Sequence, residues 1–94
     1  MNEKVIWKFD IELDKDFTLE LREYYRILSI ANQESTGSPV MWVLIDPNSP
    51  VLNVRFKTYW TGTFILDCDN WDYIGTIDNS GWTGLVHHLV KYKD

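Results

Sequence analysis

The chain has 94 residues, of which 45% are hydrophobic and 24% charged, a balance typical of one globular domain. The net charge is -5, so the chain lacks the excess of basic residues that proteins use to bind the phosphates of duplex nucleic acid. No apolar segment approaches the length of about 20 residues that is needed to span a bilayer. We therefore predict a single β domain over residues 1–94, with neither duplex nucleic acid nor a membrane as partner.

Alternating apolar residues predict the strands of the first half. Residues 5–13 carry apolar side chains at every odd position, which is typical of a strand with one buried face. The alternation returns in residues 17–21 after a polar turn, and we expect these two segments to pair as a hairpin. Residues 25–30 are rich in aromatic and β-branched residues and predict a third strand, before a polar loop over residues 32–39.

Apolar patterns also predict the strands of the second half of the chain. Residues 40–45 are a continuous apolar run that Asp46 and Pro47 end, which predicts a central strand buried on both faces. Residues 51–59 alternate again, and residues 64–66, 73–77 and 85–92 complete the set. With about seven or eight strands and no convincing helix, the fold class is all-β, as a small antiparallel sandwich or barrel.

The sequence holds few signs of reaction chemistry. The one cysteine, Cys68, excludes an intrachain disulfide, and together with the polar N-terminus it predicts a cytoplasmic localisation. His87 and His88 are adjacent, so on a strand they point to opposite faces and do not bind one metal together. Phosphate-binding loops and nucleophile motifs are also missing. We predict no enzymatic activity, no cofactor and no metal site.

Aromatic residues make up 15% of the chain, and two clusters place cations beside them. Such a pair stacks on a base and binds its phosphate in nucleotide and single-strand sites. The alternative interpretation is cation–π packing on a surface strand. The cluster that we predict to bind a ligand contains Arg55, Lys57, Tyr59, Trp60, Thr61 and Gly62, whose turn also offers backbone N–H groups. The second cluster contains Arg22, Tyr24, Tyr25 and Arg26.

Five segments resemble a family of short uncharacterised proteins of tailed phages and bacteria. They are residues 27–33, 41–47, 61–62, 73–76 and 86–90, which are similar to the family's ILSVQNQ, LWALVDP, TGH, YIGT-like and V-x-H-V segments. The chain departs from the family at Thr63, where the family often carries histidine, and in its longer loop over residues 32–39. The resemblance adds His88, which matches the closing histidine, to the predicted ligand-binding residues.

The family context suggests a function. Such genes lie among phage accessory genes, and the proteins are similar in size to anti-CBASS sponges, which sequester cyclic-nucleotide immune signals. Our first hypothesis is a non-enzymatic phage accessory protein that sequesters a small cyclic nucleotide in a pocket shared by a homo-oligomer, in the host cytoplasm. The alternative hypothesis is a protein-interaction module that inhibits a host protein through an aromatic surface patch.

Overall fold

A computed structural model describes residues 3–33, 38–66, 68–78 and 86–93. Within these residues the chain forms seven strands and one short 3-10 turn, Cys68–Asn70, so the prediction of an all-β antiparallel fold is confirmed. No helix in this part of the chain is long and apolar enough to cross a membrane. The strands are β1 Val5–Asp10, β2 Asp16–Arg22, β3 Tyr25–Asn32, β4 Pro39–Ile45, β5 Val51–Trp60, β6 Trp71–Asp78 and β7 Val86–Tyr92.

The strands form two antiparallel sheets that pack face to face as a sandwich. The three-stranded sheet has the order β1-β4-β3, and the four-stranded sheet has the order β2-β5-β7-β6. Both sheets contribute to one core, because alternate side chains of every strand point toward the other sheet. Its buried members are Ile11, Phe17, Leu21, Met41, Val43, Ile45, Val54, Phe56, Ile77 and Leu89.

The two clearest sequence patterns predict the core face of their strands correctly. The apolar run of β4 is the central strand of its sheet, and Met41, Val43 and Ile45 are fully buried. The strand is not buried on both faces as predicted, because Trp42 and Leu44 on the opposite face are only partly buried.

In β5 the core side carries Val54 and Phe56, while Arg55 between them and Lys57 after them face outward. Period-two alternation therefore identified the buried faces correctly.

The predicted hairpin between the first two strands is wrong. The first strand pairs with β4 in one sheet, and β2 pairs with β5 in the other. Both strands bury an apolar face in the same core, so they face each other from opposite sheets instead of pairing edge to edge. Residues 11–15 carry the chain between the sheets, with Ile11 buried and Asp14 in the left-handed region at a φ of 62°.

Other segments differ in detail from the prediction, and β1 ends at Asp10 instead of continuing through residue 13. The fifth strand extends through Trp60, so the turn begins one residue later than expected. Residues 64–66 do not form the expected strand, and Phe64 is 93% exposed.

The polar loop predicted over residues 32–39 is shorter, because β3 ends at Asn32 and β4 begins at Pro39. The Gln33 N–H closes this loop by donating to the Ser38 carbonyl at 2.9 Å. Its residues 34–37, and Leu85 of the predicted last strand, lie outside the described residues.

The two sheets also meet along β3 and β6. The Asn32 amide donates to the Asp78 carbonyl at 2.7 Å, which ties the end of one strand to the end of the other. Beside this contact Gly75 packs against Ile30, and a Cβ at position 75 would lie 2.7 Å from Ile30 Cδ1. The register of β6 shifts at this glycine, between Tyr73 and Gly75. A bulge without a side chain thus lets the sheets approach closely.

Candidate functional site

The outer face of the four-stranded sheet, the face turned away from the core, gathers most of the predicted ligand-binding residues. Alternation along β5 puts Arg55, Lys57 and Tyr59 on this face, opposite the core residues of the same strand. The neighbouring β7 adds His88, whose backbone pairs with Tyr59. Thr61, just beyond β5, reaches His88 by a hydrogen bond. The structure therefore brings these five residues together.

The two cations on this face are already bound within the protein. Both Nε and Nη2 of Arg55 contact one carboxylate oxygen of Asp16, at 3.1 and 3.0 Å, and its guanidinium lies 4.1 Å from the Tyr92 ring centre. The Lys57 ammonium lies 4.8 Å from the Tyr59 ring centre and 4.0 Å from the same carboxyl group. A phosphate binding here would compete with Asp16 for both charges.

His88 on this face is held by one neighbour on β6 and one in the turn after β5. Tyr73 Oη lies 2.9 Å from His88 Nδ1, and Thr61 Oγ1 lies 2.8 Å from His88 Nε2. Because Thr61 Oγ1 also donates to the Val86 carbonyl, it accepts from Nε2–H, and Nδ1 accepts from the tyrosine. Tyr73 is 59% exposed and is a stacking surface that sequence reasoning missed, because only the pairing of β6 with β7 places it here.

The remaining two predicted residues lie elsewhere. Trp60 pairs with His87 in the ladder, on the core side of β5, and its ring is 44% exposed at one end of the sandwich. Gly62 occupies the tip of the following turn with a φ of 94°, which favours glycine. The Thr63 N–H donates to the Trp60 carbonyl across this turn. Trp60, on the core side of β5, and Gly62, beyond the end of the strand, are therefore not part of the outer face.

The second aromatic cluster lines a cleft at the opposite end of the strands. The cleft has a volume of about 370 Å³, and Tyr24 on its wall is 63% exposed. Arg22 does not reach it, since its guanidinium donates to the Ser49 carbonyl at 3.3 Å. The lining consists of Lys4, Glu23, Tyr24, Tyr25, Arg26 and Leu44.

The cations of this cleft differ in their ion pairing from Arg55 and Lys57 on the outer face of the four-stranded sheet. Leu44 on β4 pairs with Arg26 on β3 and, on its other side, with Ile6 on β1. Lys4 precedes Ile6 by two residues along the chain. The two cations therefore lie on opposite sides of an apolar floor. Within the part of the chain that the structure describes, neither Lys4 nor Arg26 forms an ion pair. Glu23 is the acidic residue of the lining.

Within residues 3–33, 38–66, 68–78 and 86–93, no group of three or more histidine, cysteine or acidic side chains is arranged to hold a metal ion. The exposed Cys68 is a free thiol.

Comparison with known proteins places the chain in a family. Comparisons with curated proteins and with solved structures give no match. The model of the family described as Domain of unknown function (DUF7352) matches residues 2–94. Because this match covers almost the whole chain, the protein belongs to that family.

Proposed function

We propose that the protein is a non-enzymatic binding protein for a small nucleotide, and that the cleft lined by Lys4, Tyr24 and Arg26 holds the ligand. The observation that carries this proposal is the pair of cations on either side of the Leu44 floor, beside an exposed tyrosine ring. A nucleotide needs these two features together, a flat ring for its base and positive charge for its phosphate.

The spacing of the cleft suits such a ligand. Neighbouring strands lie about 4.8 Å apart, so β1 and β3, on either side of β4, are separated by about 10 Å. Lys4 and Arg26 approach from these two sides, and Tyr24, which is 63% exposed, belongs to the same lining. A base stacked on Tyr24 thus leaves its phosphate within reach of Arg26 and Lys4.

The competing site is the outer face of the four-stranded sheet, where Arg55 and Lys57 are held by Asp16. A phosphate gains less there, because the attraction between each cation and the carboxylate must first be lost. The free energy of anion binding therefore favours the cleft whose cations have no such partner among the described residues.

Sequestration is the role that we attach to this binding. The resemblance to phage proteins supports a cyclic nucleotide of host defence as the ligand, and a protein that holds this signal withdraws it from its receptor. The protein-interaction alternative uses another surface, the exposed apolar segment of residues 64–66.

Calorimetry with a panel of mononucleotides, cyclic mononucleotides and cyclic dinucleotides tests the proposal. We expect one class to bind, and Arg26→Ala and Tyr24→Ala each to weaken it by about 1–3 kcal/mol, the scale of one charge-assisted contact or one stacked base. Arg55→Ala is the matched control and leaves the affinity unchanged.

Two results would contradict the proposal. Absence of binding across the panel refutes nucleotide binding itself. Loss of affinity in Arg55→Ala with normal affinity in Arg26→Ala refutes the chosen cleft and moves the ligand to the outer face of the four-stranded sheet.

A further inference from the structure

A second cleft, of about 270 Å³, lies at the other end of the strands from the nucleotide cleft. The last residues of β5 extend beyond the first residue of β2, which pairs with Lys57. The cleft lies there, between the turn that precedes β2 and the segment that follows β5. Its lining consists of Asp14, Lys57, Thr58, Tyr59, Trp60, Thr63, Phe64 and Leu66. We call it the Asp14 cleft.

The carboxylate of this cleft is held in place by buried groups. The Asp14 N–H donates to Thr58 Oγ1 at 2.7 Å, and that hydroxyl donates to the Glu12 carbonyl at 2.9 Å. His87 Nε2 lies 2.8 Å from Asp14 Oδ1, and its ring is only 1% exposed. The Asp14 side chain itself remains 42% exposed. It therefore presents a fixed negative group to the cleft.

The walls around this carboxylate are aromatic and apolar. Trp60 is 44% exposed, Phe64 93% and Leu66 79%. Ring faces carry negative electrostatic potential, so a carboxylate between rings attracts an ammonium or guanidinium group. The same surroundings disfavour an anion.

The charges nearby support a cationic ligand. The ammonium of Lys57, the basic residue of the lining, lies against Asp16 and over the Tyr59 ring. The chain as a whole carries a net charge of -5, which attracts basic partners at long range.

We propose that the Asp14 cleft binds a lysine or arginine side chain of a partner protein, whose neighbouring apolar residues cover Phe64 and Leu66. A small free cation in the cleft would cover only part of these two side chains, which are 93% and 79% exposed, and would leave the rest in water. A contiguous exposed apolar surface of this kind is typical of a protein interface. This site is separate from the nucleotide cleft and does not depend on it.

Titration of the isotope-labelled protein, followed by NMR, tests the ligand class. The probe is acetyl-Leu-Arg-Leu-amide, the matched control is acetyl-Leu-Gln-Leu-amide, and argininamide represents a small free cation. We expect the arginine peptide at millimolar concentration to shift the signals of Asp14, Phe64 and the Trp60 indole. Both other compounds bind at least about fivefold more weakly, since each lacks one of the two interactions.

Two variants assign the binding to the cleft. Asp14→Asn keeps a residue that tolerates the left-handed backbone but removes the charge, and we expect at least about fivefold weaker binding of the arginine peptide. Glu20→Gln removes the charge of an exposed carboxylate on β2 that is outside the lining, and it leaves the affinity unchanged. Phe64→Ser, at a side chain that is 93% exposed, weakens binding without disturbing the fold.

The proposal is overturned if the arginine peptide causes no shifts, if the glutamine peptide binds equally well, or if Asp14→Asn binds like the parent. Equal affinity for argininamide and the peptide would overturn the assignment to a protein partner. None of these results affects nucleotide binding, which is measured with other ligands and other variants.

Discussion

Thr58→Val should destabilise the protein strongly, although the two side chains have nearly the same shape. The Thr58 side chain is 1% exposed, and its hydroxyl joins the Asp14 N–H to the Glu12 carbonyl. Valine removes both hydrogen bonds and leaves the donor and the acceptor without their partner. Each bond contributes about 0.5–1.5 kcal/mol, and the groups that lose their partner are only partly buried, so we expect a loss of about 1–3 kcal/mol.

Urea unfolding followed by tryptophan fluorescence measures this loss. Thr18→Val makes the same chemical change on an exposed position of β2 and should alter the free energy of unfolding by less than about 0.5 kcal/mol. If the two variants lose the same free energy, the Thr58 hydroxyl does not hold the turn, and the account of a fixed Asp14 carboxylate is wrong.

Two further predictions follow from the packing and the size of the chain. Gly75→Ala should lower the free energy of unfolding by about 1–3 kcal/mol, because the new methyl group crowds Ile30. Ile30→Val removes the crowded methyl group, and in the double variant it should recover part of this loss. Purely additive effects in the double variant would contradict the close approach of β3 and β6. Because ligand sites bury about 70–90% of a small ligand, the open nucleotide cleft predicts a second copy as its other wall. Light scattering at micromolar concentration should give a dimer or larger, and a mass of 11.1 kDa would contradict the shared pocket.

The sequence predicted buried faces well and strand neighbours poorly. Alternation in β5 identified Val54 and Phe56 as core residues, because the period of two follows directly from strand geometry. The pairing of β1 with β4 depends instead on which apolar faces meet in the core, and no local pattern records that choice.

The same limit applies to the candidate sites. Arg55 and Lys57 share one face because they alternate on one strand, which the sequence shows directly, but their carboxylate partner Asp16 comes from a neighbouring strand. Lys4 was not singled out, since only the order β1-β4-β3 brings it near Arg26. The sequence shows His87 only as the neighbour of His88, because its contact with Asp14 spans 73 positions of the chain.

Mapping a bound nucleotide by NMR tests the central claim most directly. The tightest ligand of the calorimetric panel is titrated into the isotope-labelled protein, and the backbone amide signals are followed. The account predicts that the largest shifts fall on Lys4, Tyr24, Arg26 and Leu44, and that the ligand is recovered chemically unchanged. Shifts confined to the face of Arg55 and His88, recovery of a cleaved ligand, or no shifts with any nucleotide would contradict it.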